Sequence, residues 1–292
     1  MGTIEFSDGV YGVKAAITSM WSPTMLGELV NANIAELELN HGNGWCGSDL
    51  AFLSRLPQLL AFSILDMRIE SVEPIHVLHS LKKLGVLTYC KSEIRFSEFP
   101  ELETCSLEWR EKASSLFDCV SLKKLFLDNY TGKDALKLGQ LTKLKSLDLL
   151  SASVENIEGL RTLKSLYYLR LGNLKRLTSL RGLEALTELE ELVINRCRLI
   201  KSIGEISKLH KLRRLGLPDC GGIASLQPLC ALSELKAVWF YGSTKILDGD
   251  LRPLLDMQLE RVSFMNRRHY SHAREEFGEA WSSPCPDFNR RE

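Results

Sequence analysis

The sequence predicts an α/β solenoid, a curved stack of short parallel strands backed by brief helices, 3-10 turns or loops. Three observations predict it. The 292 residues include 53 leucines but only 8% aromatics, so the core is aliphatic and built from one repeated side chain. The leucines fall in one recurring frame, LxxLxLxx, with a nearly constant step. Within each copy apolar and other residues alternate, as in a strand with one buried face.

Residues 1–33 read as an N-terminal cap. Ser22-Pro23-Thr24 before Met25, Leu26, Leu29 and Val30 marks a helix start placed to cover the first strand. The repeats occupy 34–265. Their early strand pairs are Leu37/Leu39, Phe62/Ile64, Leu87/Tyr89 and Cys105/Leu107, at steps of 25, 25 and 18, then 20 to Leu125. From Leu125 the frame passes through Leu147, Leu169, Leu192, Leu215, Val238 and Val262 at steps of 22, 22, 23, 23, 23 and 24. About eleven strands result, and at ~4.8 Å spacing they make a concave parallel sheet roughly 50 Å along its arc.

On the convex side, 48–56 and 134–141 read as one to two helical turns. NIEGLRTL and SLRGLEAL, with Leu at every third place, suit 3-10 turns. The short steps predict an irregular convex face near 90–120. One repeat cannot bury its own leucines, so repeats must stack and both ends must be sealed. Tyr270, Phe277 and Trp281, at i, i+7 and i+11, predict a C-terminal cap helix over 266–282, followed by a flexible tail at 283–292.

The copies from Leu122-Lys-Lys-Leu125-Phe-Leu127 to Leu259-Glu-Arg-Val262-Ser-Phe264 resemble the leucine-rich repeat family. The resemblance covers 34–265 and is to the 22–23-residue intracellular or bacterial type, including stand-alone bacterial members. Where that family places a buried Asn after the strand, this chain has Cys197 and Cys220, and elsewhere Tyr130, Ala152, Leu174 or Ser243. Thiols, water or backbone groups must therefore satisfy the carbonyls of that ladder. The resemblance implies a non-enzymatic scaffold that holds a protein on its concave face.

Composition narrows the partner. Lys+Arg and Asp+Glu stand at 37 each, and a chain without a basic excess is poorly suited to counterion-release binding of nucleic acid. Arg267, Arg268 and Arg274 make a basic cluster, but Glu275, Glu276 and Glu279 follow it directly. No apolar run reaches the ~18 residues of a membrane span, and the first residues carry no secretory or myristoyl signal. Eight scattered cysteines without a CxxC pair predict free thiols in a reducing, cytoplasmic compartment.

Chemistry-bearing motifs are few. Gly42-Asn-Gly44-Trp-Cys-Gly47 follows a strand, and Asp66 lies 19 residues on, in the order of a dinucleotide fingerprint. Against it, the strand-to-strand step of 25 falls short of a βαβ unit of ~30 residues, and the same frame recurs without glycines. His76 and His79 read as solvated on a convex turn. His269 and His272 lack further metal ligands. No cofactor or metal is called for, and no catalytic residue is assigned.

The candidate partner-binding residues face outward from the strands: Phe126, Asp128, Tyr168, Arg170, Glu191, Asn195, Arg214, Trp239, Tyr241 and Arg261. A solvated strand face has no folding need for such aromatics, and aromatics with Arg dominate binding hot spots. Met265 shares this face. Glu36, Glu38, Glu108, Asp128 and Asp148 make the early rows acidic, suited to a basic partner. The expected partner is a protein held by a monomer: a toxin neutralised by an immunity protein, or an enzyme under regulation. A nucleotide-dependent enzyme using the GNGWCG turn is the rival reading.

Overall fold

The structure is a computed structural model that describes residues 3–281, and it divides after Asp128 into two units. The tail expected at 283–292 lies outside the described residues.

The first unit opens with β1 (Ile4–Asp8) and β2 (Val13–Ile17), an antiparallel hairpin that no sequence signal announced. A helix, α1 (Met25–Asn31), leads to β3 (Glu36–Asn40), which pairs in parallel with β2. Met25 and Leu29 of α1 are buried one turn apart, while Thr24 makes no side-chain cap. Parallel β4 (Ala61–Leu65), β5 (Lys83–Leu87), β6 (Thr104–Glu108) and β7 (Lys124–Asp128) follow in chain order.

Register aligns Leu37, Phe62, Leu84, Cys105 and Leu125 across these strands, all 2% exposed or less. The inward pair of β5 is thus Leu84/Val86, and the expected pair Leu87/Tyr89 is wrong by three residues. An odd slip exchanges faces: Tyr89 stands 65% exposed in the loop beyond β5. With Leu84 in place the steps become 25, 22, 21 and 20, and the 18-residue anomaly disappears. The expected irregular stretch instead holds 3-10 segments at Phe96–Glu98 and Glu111–Asp118, the latter broken at Ala113.

The turn side is 3-10 rather than α-helical where helical turns were expected. Residues 48–56 contain the 3-10 segment Ala51–Arg55, and 134–141 contain Leu138–Gln140. The cause is the spacing. Leu50, Leu53, Leu56 and Leu59 are all fully buried, and only a three-residue turn keeps every third side chain on one line. The i→i+3 bonds Leu53 N–H to Leu50 O (3.0 Å) and Leu56 N–H to Leu53 O (2.9 Å) close it.

The second unit repeats this with more regularity. Its strands are β8 (Ser146–Leu150), β9 (Tyr168–Gly172), β10 (Glu191–Asn195) and β11 (Arg214–Gly216). A small two-stranded sheet of β12 (Gly222–Ile223) and β14 (Lys245–Ile246) lies on the turn side. β13 (Ala237–Phe240) and β15 (Arg261–Phe264) continue the main sheet, with the short α2 (Arg252–Leu255) between β14 and β15. Leu147, Leu169, Leu192, Leu215, Val238 and Val262 are in register.

The post-strand ladder is filled as its residue types require. The Cys197 thiol donates to Leu171 O (3.6 Å) and that of Cys220 to Ile194 O (3.0 Å). In the next turn the Thr244 hydroxyl, one place after Ser243, donates to Leu217 O (2.5 Å).

No α-helix forms over 266–281. A 3-10 segment, Arg274–Ala280, is broken at Gly278, whose φ is +53°. The aromatics expected on one helical face still meet the last repeat: Phe277 and Tyr270 both sit edge-on to Phe264, at 5.3 and 6.1 Å. Trp281 bridges to Val262 of β15 through the backbone.

Candidate partner-binding face

The pleat of each strand aims alternate residues away from the leucine core. In the first unit Phe126 and Asp128 of β7 stand on this outward face, both half-buried. The acid expected there is partly spent inside the fold. Glu36 is only 6% exposed, because the loop of the β1–β2 hairpin covers it and the Tyr11 backbone N–H donates to its Oε1 at 2.7 Å. Glu38 pairs with Lys14 across β2 and β3 at 2.6 Å.

In the second unit the remaining candidates share one sheet face. Tyr168, Glu191, Arg214 and Arg261 begin β9, β10, β11 and β15. Arg170 and Trp239 stand in the middle row, Asn195 ends β10, and Tyr241 follows β13. Two are not exposed as expected: Trp239 is 1% exposed and Tyr168 8%. Trp239 lies flat on the neighbouring strand, where Gly216 leaves it room. A Cβ on Gly216 would stand 2.3 Å from the indole ring. Arg214 covers Trp239 with its guanidinium 5.9 Å from the ring centroid, and its Nε is 3.8 Å from Glu191. Tyr168 Oη donates to Asp148 at 3.2 Å. The large rings are thus a rigid floor, and the exposed groups above and beside them are Arg214, Arg261 and Met265.

Clefts flank this floor on both strand edges. At the strand starts a cleft of about 680 Å³ is lined by Arg213, Arg214, Lys236 and Arg261 with Glu234 and Glu260. Arg213 meets Glu234 at 3.4 Å and Lys236 meets Glu260 at 3.8 Å. Past the strand ends, a second cleft of about 520 Å³ is lined by Tyr241, Met265, Asn266, Arg274 and Trp281. Arg274 lies over Trp281 at 5.1 Å. Sequence reasoning missed Arg213, Lys236 and Trp281. The two flanking x positions of LxxLxLxx were the signal that could have found the first two.

The GNGWCG turn has a structural account. Gly44 adopts φ +103°, and a Cβ there would stand 2.5 Å from the Thr18 carbonyl oxygen. Trp45 is fully buried, and Trp21 stacks on Phe52 beside it at 4.0 Å. Asp66 is held by Arg68 through two 3.0 Å bonds, Nε to Oδ1 and Nη2 to Oδ2. Backbone and indole occupy the place where a pyrophosphate would approach.

His76 differs from expectation. It is 7% exposed, stacks on Phe99 at 5.9 Å and accepts the Arg95 backbone N–H on Nε2 at 3.0 Å. Burial, with the Arg95 charge second, holds its pKa below the usual imidazole value. His269 meets the Ile246 carbonyl at 2.8 Å. Among the described residues no cluster of three or more His, Cys, Asp or Glu could hold a metal, and no helix is long and apolar enough to cross a membrane.

Comparison with known proteins identifies the fold. No protein-family model and no curated protein matches the sequence. Solved structures do. An internalin from Listeria monocytogenes aligns with TM-score 0.59 at 18% identity, over 85% of this chain and 78% of that one. Internalin C2 from the same organism aligns with TM-score 0.50 at 19% identity, over 83% and 93%. A leucine-rich repeat protein of Leptospira interrogans aligns with TM-score 0.51 at 16% identity, over 86% and 82%.

Proposed function

The chain has the leucine-rich repeat fold, and from that premise we propose that it is a non-enzymatic scaffold binding a protein on the strand face of its second unit. One observation carries this reading: the preassembled floor of Trp239 on Gly216, capped by Arg214 and flanked by two clefts. Rings already locked by their neighbours lose little entropy when a partner docks, and Arg beside aromatic surface is the composition of binding hot spots. Asn195, Tyr241, Met265 and Arg261 form the rim, Glu191 orients Arg214, and Arg170 extends the middle row.

The finer partner is a toxin held by an immunity protein, with an enzyme held by its regulatory subunit as the alternative. The protein acts as a monomer in a reducing cytoplasm, a setting supported by the seven described cysteines, all free. The test is affinity capture from native lysate with three tagged full-length chains. Wild type and a turn-side control (Lys143→Glu with Lys164→Glu) should capture the same partner, and Arg214→Glu with Arg261→Glu should lose it. Loss in the control with retention in the face variant would sink the site. Protection of cells from the captured partner separates immunity from enzyme regulation. The nucleotide reading predicts a melting shift with millimolar NAD; none is expected, since Thr18 and Trp45 fill the turn.

A further inference from the structure

In the first unit Arg110 is 8% exposed, and its guanidinium finds no carboxylate among its acceptors. It donates to Cys90 Sγ at 3.0 Å, Thr88 O at 3.0 Å, Thr88 Oγ1 at 3.1 Å and Glu108 O at 3.4 Å, while its Nε is buried without a partner. A buried guanidinium stays charged and is costly unless something nearby carries the opposite charge.

The hydroxyls around Cys90 point to what that is. Thr88 Oγ1, 3.1 Å from the sulfur, already accepts from Arg110, so its proton is free to point at Sγ. Ser92 Oγ, 3.3 Å from the sulfur, already accepts the Val72 N–H at 2.9 Å, so its proton can do the same. The sulfur is then an acceptor for three donors, and neither hydroxyl needs an S–H proton. Cys197 and Cys220 are the opposite case, thiols donating to carbonyl oxygens.

We propose that Cys90 is a resident thiolate, ion-paired with Arg110, and that this pair is a reaction site for small hydroperoxides. The sulfur attacks one peroxide oxygen, an S–O bond forms as the O–O bond breaks, and hydroxide leaves to take a proton from solvent. Sulfur is oxidised to sulfenic acid by two electrons, and the peroxide is reduced by the same two. Cys90 is 9% exposed in the loop after β5, and its chain neighbour Tyr89 stands 65% open to solvent. Electrostatics agree in direction: burial alone would raise the thiol, but the Ser92 and Thr88 hydroxyls and the Arg110 charge together bring it below its ordinary value. Burial pushes Cys119 and Cys220 up to about 12 and Cys197 to about 11.

The experiment treats the full chain with sub-millimolar hydrogen peroxide and dimedone, and follows each cysteine by peptide mass spectrometry. Cys90 should acquire the dimedone adduct ahead of the exposed Cys230. Its rate should hold to a lower pH than that of an ordinary thiol, whose pKa is about 8.5. Arg110→Met should slow the Cys90 adduct at least about tenfold, with Arg110→Lys retaining part of the rate. Should Arg110→Met not fold, the wild-type pH profile decides alone. Modification of Cys230 first, an unmodified Cys90, or a Cys90 rate falling about tenfold per pH unit like an ordinary thiol would overturn the proposal.

Discussion

Trp239 shows how a single position can be placed correctly on a face and still be misjudged in exposure. Alternation put it outward; only its neighbour's lack of a side chain buried it. Gly216→Ala should lift the indole off β11 and cost about 1–3 kcal/mol as an overpacking change, read by urea unfolding. An unchanged midpoint would mean that the ring does not lie where Gly216 allows it. His76 is a second such case. Its folded pKa lies below the unfolded value of about 6.5, so its contribution is full above that value and is lost as pH falls toward the folded pKa. The groups around it, Arg95, Glu73 and Glu98, enter the same balance. The melting temperature should therefore drop on acidification below about pH 6.5. His76→Gln, which can still accept the Arg95 N–H, should flatten that slope.

Six successive strands of the main sheet, β7 to β11 and β13, are each left through a left-handed residue, a regularity that leucine spacing does not reveal. Asn129, Ser151, Asn173, Arg196, Asp219 and Gly242 have φ between +47° and +65°. Asn and Gly tolerate this conformation, whereas Arg pays for its Cβ. Arg196→Asn should stabilise the protein by about 0.5–1 kcal/mol, a rise of a few degrees in melting temperature; a fall would show that the Arg196 side chain contributes packing of its own. The turn-side leucines are the opposite extreme. Leu160, fully buried in the segment Glu158–Thr162, should cost about 2–5 kcal/mol on truncation to Ala, because stacked neighbours close a cavity poorly.

For the whole molecule, 37 basic and 37 acidic residues cancel, and many meet as cross-repeat pairs, such as Lys123–Glu103 at 2.6 Å and Lys211–Glu188 at 2.7 Å. Binding to random duplex DNA should be weak with a shallow salt dependence, since few phosphates can be neutralised at once. Titrating labelled duplex at two salt concentrations checks this, and a steep slope would revive a nucleic-acid role.

Leucine periodicity by itself determined the eleven repeat strands, the inward pairs of ten of them and the stacked fold, because a core of one side chain at one step admits a single way to bury it. It determined neither the β1–β2 hairpin nor the β12–β14 pair. It did not determine β5, where Leu84-Gly-Val86 and Leu87-Thr-Tyr89 both alternate and only pairing with β4 and β6 chooses between them. The sequence named the outward-facing residues, but tertiary structure alone decided which are floor and which are rim. Exposure on a sheet face depends on the next strand's residue, some twenty positions away, as Gly216 does for Trp239 and the Tyr11 loop for Glu36. The Cys90–Arg110 pair is of the same kind: two residues 20 apart, unremarkable alone, brought to 3.0 Å only by the fold.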